Sequence, residues 1–336
     1  MKRILVGFLI VTGLALALAA GGLVQAHLAL RERRSPLPEI GAVGPALEAD
    51  VDLPVRLSWI NSASQDMPRS AVLDPGTDPE PEAPYRMSHP AFVLEWADGR
   101  RLLIDTGMGP DLARDFGGPA ETFAGASPIE PHAAVATVLA RRAAPPSGVL
   151  LSHLHSDHVD GVKELCAGRV RPLPVFAGPA QMEHVNYTTR PGVAILEGAG
   201  CVERTALAGA GPLYAVPGFP GVRVIEAGGH TPGSQIVVAA LGAGPGGARQ
   251  RWAFTGDIVN ALDGIRFDVP KPWLYSTLLV PEDGPRLSAL RHWLRALHQD
   301  QGFGLLVPHD ERAIDASGIG SWAGPGEGWT QPAPGR

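Results

Sequence analysis

The alternation of apolar and polar residues predicts many short strands with helices between them. Residues 55–60 alternate as a half-buried strand does. Residues 91–96 and 101–105 flank Asp98-Gly99, a dipeptide typical of hairpin turns. Further short apolar runs predict buried strands at residues 149–151, 174–177, 222–227, 236–240, 252–255 and 304–307.

Two segments have the composition of helices. In residues 285–299 one face carries Leu287, Leu290, Trp293, Leu294 and Leu297. Pro285 suits a first helical turn, and Asp283 is a candidate cap. Residues 132–142 form the second segment, which ends before a pair of prolines. Since strands and helices alternate throughout, we predict a single α/β domain.

The N-terminal 30 residues predict a membrane segment. Residues 4–26 are almost entirely apolar, which is long enough to cross a bilayer core of about 30 Å. Residues 24–26 would also suit signal-peptide cleavage after Ala26, but the apolar run exceeds the usual stretch of roughly 7–15 residues. We therefore expect an uncleaved transmembrane anchor within residues 1–30, with a cleaved signal peptide as the alternative. Either route places the rest of the chain outside the cytoplasm, on the periplasmic side.

Composition divides the remaining chain into three parts. Residues 31–54 are rich in Pro and Gly and predict a linker between membrane and domain. The domain is expected over residues 55–315, with an acidic, Pro-rich loop at 74–84. From residue 316 the periodicity is lost, so residues 316–336 predict a flexible tail.

Overall composition and charge narrow the functional classes. Hydrophobic residues make up 45% and charged residues 18%, as in a globular protein. The net charge of −6 gives no general attraction for nucleic acid, so we expect a small-molecule substrate. Cys166 and Cys201 form no C-x-x-C pair, which argues against a cysteine metal site. In an exported protein these cysteines are as compatible with a disulfide as with two buried thiols.

The richest chemistry lies in residues 151–161, LSHLHSDHVDG. His153, His155, Asp157 and His158 are four candidate ligands within six positions, directly after a predicted strand. Imidazole and carboxylate groups suit Zn²⁺. Alternate residues of an extended chain share a face, so His153 and His155 project to the same side. The segment indicates a metal-binding loop.

Three more candidate ligands follow predicted strands one at a time. His230 lies in G-H-T-P-G, Asp257 in T-G-D and His309 in P-H-D. Sites collect at strand ends in α/β sheets. A single histidine of this kind is more often an ordinary one, but the ordered series strengthens the metal interpretation.

H-x-H-x-D-H followed by G-H-T-P-G, T-G-D and P-H-D resembles the metallo-β-lactamase superfamily over about residues 55–313. The resemblance implies a four-layer αββα sandwich with two zinc ions at the edge of the sheets. It assigns His153, His155 and His230 to the first zinc. It assigns Asp157, His158 and His309 to the second, with Asp257 bridging both.

The resemblance also implies a hydrolase in which a hydroxide shared by the two metals attacks the substrate. Asp157 or Asp257 would return a proton to the leaving group. β-Lactamases proper lack the bridging aspartate, and the flavodiiron branch has Glu at the position of His155, so both activities are disfavoured. The pattern looks most like acyl-homoserine lactonases, which favours an ester or lactone. Glutathione thioesters, as in glyoxalase II, phosphodiesters and a non-catalytic role remain alternatives.

Residues outside the ligand motifs carry weaker expectations. Asp105, in D-T-G, is expected to orient a ligand histidine or the metal loop, although a plain turn explains it nearly as well. Candidates for shaping the substrate site are His184, Tyr187, Trp273 and Tyr275, each equally compatible with a packing role. Trp273 and Tyr275 lie in an apparent insertion at residues 259–280.

Overall fold

Two β-sheets face each other and carry helices on their outer sides. The computed structural model describes residues 2–32, 35–141, 145–209, 211–242 and 249–322. The strands are β1 (Arg56–Met67), β2 (Tyr85–Glu95), β3 (Arg101–Ile104), β4 (Glu130–Pro131), β5 (Gly148–Leu150), β6 (Leu173–Ala177), β7 (Val202–Ala206), β8 (Tyr214–Ala215), β9 (Val222–Glu226), β10 (Gln235–Ala240), β11 (Arg251–Phe254), β12 (Gly304–Leu306) and β13 (Gly320–Ser321).

The longer helices flank the sheets, and short helical turns connect many of the strands. The α-helices are α1 (Lys2–Glu32), α2 (Ile40–Glu48), α3 (Pro110–Phe116), α4 (Gly118–Phe123), α5 (Val135–Ala140), α6 (Ser156–Val159), α7 (Val162–Cys166), α8 (Pro179–Glu183), α9 (Arg190–Gly198), α10 (Leu262–Phe267), α11 (Gly284–Gln301) and α12 (Glu311–Ala316). Arg69–Ala71 and Gly256–Ile258 form 3₁₀ turns, and Tyr275–Leu279 forms a π-helix.

Both sheets mix parallel and antiparallel pairs. In the described residues the first sheet has the order β13-β1-β2-β3-β5-β6-β7, with β4 also paired to β1. The second has the order β12-β11-β10-β9-β8. Strands β3, β5, β6 and β7 run parallel, so their carboxyl ends lie at one edge of the first sheet.

Alternate strand residues build the core in layers. Phe92 of the first sheet packs between the sheets against Phe254 of the second, with ring centroids 5.1 Å apart. Their neighbours point outward: Val93 joins a cluster with α5, α7 and α9, and Ala253 joins one with α2 and α11. Phe92 and Phe254 belong to a third cluster, which lies between the sheets. Helices, sheet, sheet and helices thus form four layers, and the predicted αββα sandwich is confirmed.

The apolar pattern located the principal strands and the main helix correctly. The six strands predicted between residues 149 and 307 and the hairpin through Asp98-Gly99 are all present. The predicted helix at 285–299 is α11, and the carboxylate of Asp283 caps it by accepting from the backbone nitrogen of Arg286 at 3.2 Å. The predicted helix at 132–142 is shorter, since α5 covers only Val135–Ala140. Residue 142 lies outside the described residues.

The prediction that residues 31–54 form a loose linker is wrong for much of its length. Helix α2 places Val43 and Leu47 four residues apart, fully buried against the second sheet. Arg223 holds the end of this segment by donating from Nη1 to Asp50 Oδ2 at 2.7 Å. The segment is therefore part of the domain.

The prediction that a flexible tail begins at residue 316 is also wrong for its first part. Strand β13 pairs in parallel with β1, with Gly320 opposite Ser58. Ile319 and Trp322 on either side are buried. Ile319 and Trp322 hold this segment against the domain. Two buried residues are too few to produce a recognisable apolar pattern in the sequence. Residues 323–336 of the predicted tail lie outside the described residues.

Helix α1 contains a stretch, Thr12–Arg31, that is long and apolar enough to cross a membrane. Length and composition support this stretch as a membrane anchor or a signal sequence, and the predicted anchor stays a prediction. Near its end Ala26 and Leu30 are buried, and His27 Nε2 lies 3.0 Å from the carbonyl oxygen of Thr277. The end of α1 thus contacts the segment that carries the π-helix.

Cys166 and Cys201 are joined as a disulfide, with their Cα atoms 5.4 Å apart. This separation lies within the limit of about 7 Å that a disulfide requires. The bond ties the end of α7 to the start of β7.

Candidate metal centre

One edge of the sandwich carries a cluster of buried histidines and aspartates. Four segments bring them together: the loop after β5, the β9–β10 turn, the carboxyl end of β11 and the carboxyl end of β12. Strands β9, β10 and β11 alternate in direction, so the β9–β10 turn and the end of β11 meet at the same edge. The seven predicted ligands are all in the cluster: His153, His155, Asp157, His158, His230, Asp257 and His309.

The first group of ligand atoms comes from three histidines and Asp257. His155 Nδ1 lies 3.0 Å from His153 Nε2 and 3.2 Å from His230 Nε2. Asp257 Oδ2 lies 3.8 Å from His153 Nε2 and 3.6 Å from His230 Nε2. Neighbouring ligands of a tetrahedral zinc, with bonds of about 2.0–2.1 Å, lie at comparable separations.

The second group shares Asp257. His158 Nε2 and His309 Nε2 are 3.2 Å apart, and Asp257 reaches them with Oδ1 at 3.2 Å and Oδ2 at 3.1 Å respectively. Asp157 Oδ2 lies 3.5 Å from His158 Nε2 and 3.6 Å from His309 Nε2. Asp257 therefore contacts both groups of ligand atoms, as a bridging carboxylate must.

The hydrogen bonds on the outer side of the ligand histidines indicate that their inward-facing nitrogen atoms are suited to bind cations. The Nδ1 atoms of His158, His230 and His309 donate to oxygen atoms of Asp105, Glu282 and Ser88 at 2.9, 2.6 and 2.8 Å. In its neutral form each of these rings has its one N–H at Nδ1, so its Nε2 offers a lone pair that points into the cluster. Asp257 Oδ1 is buried without a hydrogen-bond partner. Converging lone pairs and an unpartnered carboxylate oxygen are the donor set of a metal site.

Electrostatics differ between the two groups of imidazoles. In the second group burial acts to lower the pKa of His158 and His309, but the nearby aspartates raise both above the usual value, whereas the first group favours neutral rings. Burial lowers the pKa of His155 to about 3 and holds the pKa of His153 well below its usual value. Burial acts to raise the pKa of Asp257, but His309 and His158 lower it well below its ordinary range. The first group thus offers uncharged nitrogen atoms at neutral pH, which is the form that binds a metal.

Asp105 lies directly behind the second group. Its Oδ2 accepts from His158 Nδ1 and, at 2.8 Å, from Ser152 Oγ, while its Oδ1 accepts from the backbone nitrogen of Ser152 at 2.6 Å. The backbone of Asp105 adopts the left-handed conformation, with φ of 59°. That strained turn aims the carboxylate at His158, the arrangement expected of a residue that orients a ligand.

Sequence reasoning missed a buried ion pair behind His230. Glu282 Oε1 accepts from both His230 Nδ1 and Lys271 Nζ, the latter at 2.8 Å. Lys271 also donates to the backbone carbonyl of Asp257 at 2.6 Å. Neither residue belongs to a recognisable motif, and Lys271 lies in the apparent insertion, so no sequence signal identified them.

Sequence reasoning also missed His89, a fully buried residue of β2. Its Nδ1 lies 3.3 Å from Asp157 Oδ2, and its ring packs against His309 with centroids 5.0 Å apart. A lone histidine in an apolar strand gave no signal beyond its residue type.

The four substrate candidates occupy different surroundings. Tyr275 lies beside Lys271, whose Nζ is 5.6 Å from the ring centroid. Tyr187 is partly exposed, and its hydroxyl donates to the carbonyl of Leu279 at 3.4 Å. Trp273 is 69% exposed, and His184 Nε2 lies 3.6 Å from a carboxylate oxygen of Glu183. The structure thus brings Tyr275 to the residues behind the cluster and links Tyr187 to the π-helix.

Comparison with known proteins gives one family and a set of similar folds. The sequence matches the model of the metallo-beta-lactamase superfamily over residues 84–312. No curated protein matches the chain. An N-acyl homoserine lactone hydrolase with N-hexanoyl-L-homoserine bound as product at its catalytic metal centre is 19% identical, with a TM-score of 0.58 covering 79% of this chain and 96% of that chain.

Two further solved structures extend the likeness. A mutant of AiiA from B. thuringiensis, with N-decanoyl-L-homoserine bound at its active site, is 20% identical, with a TM-score of 0.58 covering 79% of this chain and 96% of that chain. A probable metal-dependent hydrolase from Staphylococcus aureus is 14% identical, with a TM-score of 0.50 covering 77% and 91% of the two chains. At sequence identities this low, the similarity between this chain and these structures is a similarity of fold.

Proposed function

The chain belongs to the metallo-β-lactamase superfamily and is a metal-dependent hydrolase, and on that premise we propose that it holds two zinc ions and hydrolyses an ester or lactone. N-Acyl homoserine lactones are the first substrates to test. The observation that carries the proposal is the complete donor set, in which Asp257 contacts two groups of inward-pointing imidazoles. A non-catalytic member of the fold would have no need to keep such a set intact.

Each group of ligands would hold one ion. His153, His155 and His230 would bind the first zinc, Asp157, His158 and His309 the second, and Asp257 both. Zinc ions bound there would supply Lewis acidity and lower the pKa of a coordinated water to near 7.

The surrounding side chains would orient the substrate and handle its proton. Asp157 and Asp257 stay ionised at neutral pH, because nearby histidines lower the pKa of each although burial acts to raise it. Both are therefore in the ionised form that can accept a proton from the attacking water and pass it to the leaving group. Burial raises the pKa of Tyr275 well above its usual value, so its phenol stays protonated. It could then donate a hydrogen bond to a substrate carbonyl.

An apolar surface beside the π-helix supports an acyl substrate. Trp273, Leu274, Leu278 and Leu279 are all exposed, within seven residues that also include Tyr275. Exposed apolar patches rimmed by polar residues often mark binding sites. Such a surface suits an aliphatic chain better than the charged groups of glutathione thioesters or phosphodiesters.

A substrate panel with metal analysis tests the proposal. The purified full chain should contain two zinc ions and hydrolyse N-acyl homoserine lactones, with kcat/KM rising with acyl length. Glutathione thioesters and bis-phosphodiesters run in parallel as the rival classes. A folded protein without metal would overturn the dinuclear centre, whereas two zinc ions with a preference for either rival substrate would overturn only the lactone assignment.

A further inference from the structure

His89 is a buried histidine whose two ring nitrogen atoms lack hydrogen-bond partners. It lies on β2, where its backbone nitrogen donates to Asn61 Oδ1 at 3.0 Å and its carbonyl accepts from Ser62 Oγ at 2.6 Å. The backbone is thus fully bonded while the imidazole is not. Burying a polar group without a partner is unfavourable, so such a group calls for an explanation.

The imidazole of His89 faces the second group of ligands. Its Nδ1 lies 3.3 Å from Asp157 Oδ2, the same oxygen that approaches His158 Nε2 and His309 Nε2 at 3.5 and 3.6 Å. One ligand atom each from His89, Asp157 and His309 lie within 4.8 Å of one another. Three imidazoles therefore surround one carboxylate oxygen.

The contact between His89 and Asp157 fits two ligands of one ion better than a hydrogen bond. The two atoms are 3.3 Å apart but are not oriented for a hydrogen bond, so His89 Nδ1 has no hydrogen-bond partner. Neighbouring ligands bound at about 2.0–2.2 Å from one zinc ion lie roughly 2.8–3.6 Å apart, for angles between about 90° and 109°. The other nitrogen–oxygen and nitrogen–nitrogen pairs of this group fall within this range, at separations of 3.1 to 3.6 Å.

We propose that His89 is an eighth metal ligand, which binds through Nδ1 at the position shared by Asp157, His158 and His309. This inference rests on the proposed dinuclear centre. With Asp257 included, the second position has five protein donors and the first has four. The second ion is therefore the more fully enclosed one, and the first retains more room for substrate.

Two substitutions separate a ligand from a structural histidine. His89→Phe fills the same space without a nitrogen donor. His89→Asn keeps an amide that can hydrogen-bond Asp157 but is a poor zinc ligand. The matched control is His292→Phe, which makes the same change on the exposed face of α11. Chelator competition on each full-length protein measures the two stepwise zinc dissociation constants, and cobalt substitution reports coordination number through the visible spectrum.

Both His89 variants should weaken zinc binding at one of the two positions by at least about tenfold. Residues that only support a ligand already change metal affinity by about that factor, so the loss of a ligand should not be smaller. Their cobalt spectra should shift toward a lower coordination number, and the control should match the wild type. Wild-type constants in both His89 variants would overturn the proposal. Wild-type constants in the Asn variant alone would also overturn it, because His89 would then act through a hydrogen bond to Asp157.

A measurement on the unaltered chain covers the case in which the variants fail to fold. Protein with ¹⁵N-labelled histidine and bound ¹¹³Cd should show a one-bond coupling between cadmium and His89 Nδ1, beside those of the other ligand histidines. Couplings from the other five without His89 would overturn this proposal and leave the proposed function standing. A wild-type chain that binds no metal would overturn both.

Discussion

Asp257 contacts both groups of ligand atoms, so its replacement gives the sharpest single-residue prediction. In Asp257→Ala at least one of two zinc ions should be lost, and kcat/KM should fall by more than about 100-fold, above the range for residues that only support ligands. Elemental analysis and lactone kinetics measure these effects, with Asp315→Ala as a carboxylate control outside the cluster. Two retained zinc ions with normal kinetics would contradict the bridging role.

Lys271 and Glu282 give a prediction about stability. Their ion pair is almost completely buried, with both side chains 2% exposed. Removing one partner of such a pair leaves an uncompensated charge, so Lys271→Met should lower the free energy of unfolding by about 3–5 kcal/mol. The double variant with Glu282→Gln should recover part of that loss.

Urea unfolding of the metal-free wild type, both single variants and the double variant completes a double-mutant cycle. Free-energy changes that simply add would contradict the coupling between Lys271 and Glu282. Glu282 also accepts a hydrogen bond from His230 Nδ1. Zinc affinities of the same variants therefore test whether the ion pair of Lys271 and Glu282 also orients His230. In that case Glu282→Gln should weaken zinc binding by about 10–100-fold.

The sequence predicted the parts of the site in which several candidate ligands lie close together along the chain. Four candidate ligands between His153 and His158 identified the loop, and the order of the later motifs identified three more. His89, Lys271 and Glu282 are single residues whose roles depend on contacts between distant segments. Nothing in their local sequence differs from an ordinary buried or surface residue, so only the folded chain reveals them.

Elements were predictable in proportion to the length of their apolar pattern. In β10 the five residues from Ile236 to Ala240 are a continuous buried apolar run. In α11 the buried face repeats over about three turns. Helix α2 has a single buried turn within a Pro- and Gly-rich stretch, and β13 has only two residues. Short elements of this kind are fixed by the surface they pack against, which the sequence does not display.

The disulfide gives a prediction at the scale of elements, because it joins α7, next to the metal loop, to β7. Replacing both Cys166 and Cys201 by Ser should lower the free energy of unfolding by roughly 3–4 kcal/mol, as expected for a loop closed over 35 residues. Denaturant unfolding of wild type and variant measures the difference. Counting thiols in denatured, unreduced protein is the direct check, and two free thiols in exported protein would contradict the bond.

For the whole molecule, the arrangement of α1 relative to the site bears on where the enzyme works. The end of α1 contacts Thr277 in the π-helix, whose neighbours Trp273, Leu278 and Leu279 are exposed. A membrane-spanning α1 would hold this apolar surface close to the bilayer. Lipophilic acyl substrates concentrate at such an interface, so anchoring and the proposed substrate class agree with each other.

The last prediction is that α1 anchors the protein with its metal centre on the periplasmic side. A disulfide persists in an oxidising compartment, so the bond between Cys166 and Cys201 supports export independently of the apolar helix. A reporter that is active only outside the cytoplasm, fused after Arg336, should give signal in the membrane fraction. The control is a fusion lacking residues 2–26, which should stay inside and silent. Signal from a cytoplasm-specific reporter at the same position would contradict the orientation, and a mature chain that begins at His27 would replace the anchor by a cleaved signal peptide.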